Sequence, residues 1–288
     1  MEGALSVGLL FRNFRGRILV TWFLVLLENV LWALVPLFIG RAIDALLERR
    51  PSALWEVAAI LSALIVVATV RRFYDTRCYG TIRVRFGGEL VRRSQDAPVS
   101  RLNARLGMSR EMVDFLEGHV PGVLTGVVQL LVSIAVLFGF DRRLGLAALG
   151  ALGVIVLVYA LFHRRFYRLN GELNAQTELQ VSILEQRRLE SLVGHLRKLR
   201  RSEVRLSDTE AVLYGGIFAA MFAFVLGNVW ISATIPMITA GAIFAILSYS
   251  WEFVESSIAL PSALQEWSRL GEIRDRLNRA TEVGEGVT

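Results

Sequence analysis

The chain has 288 residues, of which 54% are hydrophobic, and its mean hydropathy is +0.49. This composition excludes an ordinary soluble domain, and the net charge of +6 comes from arginines that flank apolar runs, which argues against nucleic-acid binding. The single cysteine, Cys78, excludes an intrachain disulfide, and the three histidines lack the spacing of metal ligands. The sequence therefore predicts an integral membrane protein without a metal site.

Six apolar segments are long enough to cross the hydrocarbon core of a bilayer, which is about 30 Å thick, as helices. These predicted spans cover residues 18–40, 53–70, 120–140, 144–162, 211–232 and 239–260. If the N-terminus is inside, the inside segments carry 27 of the arginines and lysines, and the outside loops carry 5. Because positive charge is retained on the cytoplasmic side, we expect both termini to be cytoplasmic.

The two inside connections, residues 71–119 and 163–210, mix apolar and charged residues at helical spacing. We therefore expect them to form two long cytoplasmic helical hairpins that continue the spans. If both arms of each hairpin are equally long, the tips fall at residues 96–97 and near residue 188, with Gly194 as a possible break. The candidate residues for these tips are Pro98, Arg101, Arg105, Glu190, Arg197 and Lys198.

Several stretches resemble the transmembrane domain of ABC exporters. They are "VPLFIGRAIDALL" (35–47), "ITAGAIFAILSYS" (238–250) and "ALPSALQEWSRLGEIRDRLN" (259–278). The positions that fit the family are Pro36, Gly40, Asp44, Gly241, Pro261 and Arg274. The resemblance covers essentially the whole chain, with a domain at 1–280 and a short tail at 281–288. It implies an all-α fold of six transmembrane helices, and a homodimer with a cavity on its two-fold axis.

Two features depart from that family. A P-loop needs a glycine-rich turn followed by Lys and Ser or Thr, whereas the one lysine, Lys198, is followed by leucine. We therefore expect no ATPase activity and no cofactor in this chain, so that ATP would act only through a separate subunit.

The two cytoplasmic hairpins are also shorter near their tips than those of the family. The resemblance of "LVGHLRKLRRSEVRL" to a coupling-helix region places the second tip at 197–204, but we favour the position near 188 because helix rise fixes arm length.

Three carboxylates lie well inside the predicted spans, whereas Glu56 lies near an end of the second span. The three are Glu28, near the midplane of the first span, and Glu252 and Glu255, three residues apart on the sixth. No Arg, Lys or His lies within these spans, so the sequence predicts acids without a basic partner that bind a proton or a cationic substrate. Asn29 and Trp251 are further candidates for such a site. The competing interpretation is that the acids only line a water-filled cavity.

Three functions remain open at this stage. The first is a transporter subunit that is powered by a separate ATPase. The second is a proton-coupled transporter without an ATPase, as in bacterial peptide-antibiotic importers of the SbmA/BacA type, which the intramembrane acids and short tips favour. The third is a membrane scaffold or receptor. In each case we expect a multi-pass protein of the bacterial inner membrane, in contact with lipid and with itself as a homodimer, and no nucleic-acid partner.

Overall fold

The computed structural model describes residues 7–93, 98–185 and 187–259, and within these ranges all regular secondary structure is helical. The elements in chain order are α1 (Val7–Leu47), α2 (Ala53–Arg93), α3 (Val99–Asp114), a π-helical turn (Phe115–His119), α4 (Val120–Phe140), α5 (Arg142–Glu185), α6 (Leu189–Ala233) and α7 (240–259). The prediction of an all-α membrane protein is confirmed at this level.

Five of the described helical stretches are long and apolar enough to cross a membrane. They are Phe14–Leu47, Ala53–Arg92, Leu106–Phe140, Arg142–Glu185 and Leu189–Ala233. Each contains one of the first five predicted spans, and most extend well beyond it because the helix continues where hydropathy falls. The sixth predicted span, 239–260, contains α7, whose two glutamates lower its apolar character. Residue 260 and the predicted tail at 281–288 lie outside the described residues.

The helices break close to the positions that arm length predicts. α2 ends at Arg93 and α3 begins at Val99, directly after Pro98, although the predicted midpoint at 96–97 lies outside the described residues. α5 ends at Glu185 and α6 begins at Leu189; between them Arg187 has a φ of 49°, a left-handed conformation that ends a helix.

The two other candidate positions for the second break lie inside α6. Gly194 does not interrupt a helix, because α6 runs through it without a break. The same holds for residues 197–204, so the tip position suggested by the resemblance is not a helix break. Arg197 and Lys198 are exposed and lie in α6 about 12 Å from its first residue. Glu190 is in the first turn of α6. Arg101 and Arg105 belong to α3, and their side chains lie outside the described part of the structure.

The chain divides into two compact units, of which Leu137–Ile235 is the second and the rest of the described chain is the first. In the second unit α5 packs along α6. Gly145 is required there, because a Cβ atom would lie 2.2 Å from the ring of Phe138. Asp141, in the turn before α5, accepts a hydrogen bond from the Arg143 backbone N–H at 2.7 Å, and the hydrogen bonds from Arg143 lower the pKa of its carboxyl.

In the first unit α2 packs against both α1 and α3. The buried core of this unit lies along the halves of α1 and α2 that are far from the turn joining the two helices. The buried members are Ile18, Cys78, Tyr79, Ile82, Phe86, Leu90, Met112, Val113 and Leu116. Arg83 of α2 pairs with Asp114 and Glu117, which fixes the π-helical turn against α2. This packing sets the position of α4, which continues directly from the turn.

Candidate functional site

A cavity of about 390 Å³ lies between α1, α2 and α4 in the first unit. Five of its lining residues are polar, and the others are apolar apart from the indole nitrogen of a tryptophan. The lining consists of Val25, Glu28, Asn29, Trp32, Leu64, Ile65, Ala68, Arg71, Thr125 and Gln129. A cavity that combines an apolar wall with a few convergent polar groups is the usual form of a small-molecule site.

Glu28 has a basic partner in this cavity. Its Oε2 lies 2.6 Å from Nε of Arg71, and Nη2 of Arg71 donates to Oε1 at 3.5 Å. The side chains are 25% and 30% exposed respectively. The prediction of an acid without a basic partner is therefore wrong for Glu28. The error has a simple cause: the second span was ended at residue 70, so Arg71 was counted with the cytoplasmic hairpin and was not considered as a partner of Glu28.

The ion pair lies deep along α1 and α2. Near the turn that joins these helices, Arg41 pairs with Glu56 at 3.3 Å, and both side chains are largely exposed. Glu28 is thirteen residues from Arg41, and Arg71 is fifteen residues from Glu56, which places the inner pair about 20 Å from the outer one. At that depth the two charges neutralise each other, so the cost of burying either one alone is avoided.

Asn29 connects α1 to α4, the helix that forms the third side of the cavity. Its Nδ2 donates to the backbone oxygen of Val25 at 2.8 Å and to Oγ1 of Thr125 at 2.9 Å. The second bond joins α1 to α4. Asn29 was a predicted site residue, whereas Thr125, Gln129 and Arg71 were not. The short second apolar segment was a signal for Arg71, but nothing local distinguishes Thr125 or Gln129 from other polar residues of an apolar helix.

The other predicted residues lie on α7. Nε1 of Trp251 donates to Oε1 of Glu255 at 2.8 Å, and both side chains are exposed. Glu252 is half-buried. None of these three residues lines the cavity at Glu28. Within the described residues, the structure therefore places the predicted acids at two separate locations, one on α1 and one on α7.

α1 and α7 meet through the two stretches that carry the sequence resemblance. Oδ1 of Asp44 accepts the N–H of Gly241 at 2.7 Å, and Oδ2 accepts the hydroxyl of Thr239 at 2.6 Å. These bonds fix the N-terminus of α7 to α1. The backbones touch, because a Cβ atom on Gly241 would lie 1.8 Å from the carbonyl oxygen of Gly40. Two turns further along, the Tyr249 hydroxyl donates to a backbone oxygen of α1.

Comparison with known proteins identifies one family. The family described as ABC transporter transmembrane region matches residues 9–241, about four-fifths of the chain. A search of curated proteins gives no match. The matched range contains all ten residues of the cavity at Glu28, and it ends at the glycine that contacts α1.

Proposed function

Since the chain belongs to the family of ABC transporter transmembrane regions, we propose that it is a transporter subunit, two copies of which form the substrate pathway. The family match over residues 9–241 is the observation that carries this proposal. The energy source is a separate ATPase subunit, because a transmembrane region of this family needs a nucleotide-binding partner to use ATP. The protein spans the bacterial inner membrane six times, with α7 as the sixth helix and both termini in the cytoplasm.

The cavity at Glu28 is the candidate substrate site on this pathway. It offers a carboxylate, a guanidinium, two amides and a hydroxyl against an apolar wall. A cationic amphipathic compound suits this lining, because its charge can pair with Glu28 in place of Arg71 while its apolar part contacts Leu64 and Ile65. Glu252 and Glu255 would provide a second acidic position on α7.

A second candidate function is proton-coupled transport without an ATPase, and the intramembrane carboxylate at Glu28 favours it. The pairing with Arg71 changes this argument. Glu28 is neutralised by a cation, so its position in the membrane does not by itself require a bound proton. A proton-coupled mechanism then needs a reason for Arg71 to leave Glu28.

Reconstitution separates the two functions. The protein is placed in proteoliposomes, alone and with any ATPase that co-purifies from the native membrane, and accumulation of a cationic fluorescent dye is followed. ATP-dependent accumulation only with the ATPase supports the first function, whereas accumulation driven by a pH gradient in the protein alone supports the second. If neither condition moves any compound from a panel of cationic amphiphiles, the proposed substrate class is wrong.

The membrane orientation is tested separately. A cysteine introduced at Ser52, which is exposed in the turn between α1 and α2, should react with a membrane-impermeant maleimide added outside intact cells. The native Cys78 is buried and provides little background. Labelling of the introduced cysteine only after the cells are opened would reverse the proposed orientation.

A further inference from the structure

Asp75 is a buried acid that neither the sequence patterns nor the cavity at Glu28 accounts for. It lies on α2, one helical turn beyond Arg71, and is only 7% exposed. Thr21 of α1, which is fully buried, faces its carboxyl. Within the part of the chain that the structure describes, its Oδ1 accepts no hydrogen bond. A buried carboxylate in this condition is costly in its charged form, so the neutral acid is favoured.

Arg71 stands between two acids. Residues four apart on a helix share a face, with Cβ atoms about 5–6 Å apart, so the guanidinium of Arg71 can reach Asp75 by changing rotamer. In this structure the guanidinium lies on Glu28 instead. Glu28 is on α1 and Asp75 is on α2, and both are within reach of the same side chain.

The other charged or titratable groups around Asp75 do not replace Arg71. On α2 they are Arg72, Tyr74, Cys78 and Tyr79; on the elements packed against α2 they are Arg17 of α1 and Glu117 of the π-helical turn. Arg72 is exposed, and Glu117 pairs with Arg83. The Tyr74 hydroxyl donates to the backbone oxygen of Arg17.

We propose that Glu28 and Asp75 form a proton-binding site in which two carboxyls share the single guanidinium of Arg71. With Arg71 on Glu28, Asp75 carries the proton. With Arg71 on Asp75, Glu28 carries it. Both states contain one carboxylate, one guanidinium and one carboxylic acid, so the net charge of the three groups is zero in each. The exchange moves no net charge into or out of the apolar interior, which keeps its cost low.

The exchange has a direction across the membrane. When the guanidinium moves from Glu28 to Asp75, Glu28 takes up a proton from the cavity and forms an O–H bond. At the same time the O–H bond at Asp75 breaks, and the proton is released on the side of the pair where Asp75 lies. Asp75 lies about 6 Å further than Arg71 from the turn that joins α1 and α2. A cationic substrate that binds Glu28 would displace Arg71 in the same way as a proton. This use of the site rests on the proposed transport function, whereas proton binding itself does not.

Infrared spectroscopy of the purified wild-type protein tests the site without any transport measurement. The carboxylic-acid C=O stretch is recorded near neutral pH, with unlabelled protein and with protein in which the aspartate carboxyls carry carbon-13. Of the aspartates in the described residues, Asp75 is the one that is buried. We expect an acid band that shifts with the label. Absence of any label-sensitive acid band at neutral pH would overturn the proposal, whatever the result of transport assays.

Three variants test the sharing of Arg71. Asp75→Asn and Glu28→Gln should each lose one acid band, because the remaining carboxyl then keeps the guanidinium. Arg71→Gln should gain a second acid band, because both carboxyls lose their cation. Glu56→Gln, on the exposed outer pair, is the matched control and should leave the acid bands unchanged. An unchanged acid region in Glu28→Gln, in protein with wild-type helical circular dichroism, would show that the two carboxyls are not coupled.

Discussion

Replacing Gly241 with alanine tests the contact between α1 and α7 most directly. The new Cβ atom would lie 1.8 Å from the carbonyl oxygen of Gly40, where an ordinary contact needs about 3.4 Å. The obstructing atom belongs to the backbone, so no side chain can move aside, and the helices must separate by about 1.6 Å. Such separation stretches the two hydrogen bonds of Asp44, now 2.6 and 2.7 Å long, beyond the hydrogen-bonding range.

The expected cost combines two effects. Overpacking costs about 1–3 kcal/mol, and loss of two hydrogen bonds to a carboxylate costs about 1.5 kcal/mol or more for each. The free energy of unfolding should therefore fall by at least about 4 kcal/mol. Gly40→Ala should have a similar effect, because its Cβ atom would lie 2.5 Å from the carbonyl oxygen of Gly241. The double variant should be far less destabilised than the sum, since both substitutions break one contact.

The assay is denaturant unfolding in detergent micelles, followed by circular dichroism. The matched control is Gly126→Ala on α4, where a Cβ atom meets nothing within 4 Å. That change should be neutral or stabilise the helix by up to about 1 kcal/mol. If Gly241→Ala unfolds at the same denaturant concentration as the wild-type protein, the close approach of the two backbones does not exist. Additive losses in the double variant would show that the glycines act independently.

Three further substitutions or measurements extend this test. Cys78 is 4% exposed, so a hydrophilic maleimide should label the folded protein at least roughly tenfold more slowly than the denatured protein; equal rates would show that the core around it is open. Tyr249→Phe removes the hydrogen bond to Ala33 and should cost about 1 kcal/mol in the same unfolding assay; a loss above about 3 kcal/mol would mean that the ring is also displaced. Arg41→Gln should change stability by well under 1 kcal/mol, because its pair with Glu56 is largely exposed; a larger loss would place this pair in an apolar environment.

Hydropathy predicted where the helices lie, because a bilayer requires long apolar segments whose backbone groups are satisfied internally. It could not predict where they end. A hydropathy pattern stops at the first charge, so the second span was ended before Arg71, and this residue was placed in the cytoplasmic hairpin although it lines the same cavity as Glu28. Arm length was a better guide to the breaks, since helix rise is fixed.

The candidate site was predicted only in part, for a related reason. Glu28 and Asn29 stand out because they are polar in an apolar run, but their partners are distant in sequence. Arg71 is 43 residues from Glu28, and Thr125 is 96 residues from Asn29. Pairings over such distances depend on how helices pack, and one sequence has no local pattern for them. The stretch around Gly40 was recognised by resemblance, whereas its contact with Gly241 appears only in three dimensions.

The π-helical turn at Phe115–His119 determines the rotational phase of α4. An α-helix advances about 100° per residue, and a π-helical turn holds about one more residue than an α-helical turn. If this turn were α-helical, α4 would be rotated by about 100° relative to α3. Thr125 and Gln129 lie four residues apart on one face, and both would leave the cavity together. The polar wall opposite the Glu28–Arg71 pair therefore depends on a single extra residue in a turn that contributes no residue to the cavity lining.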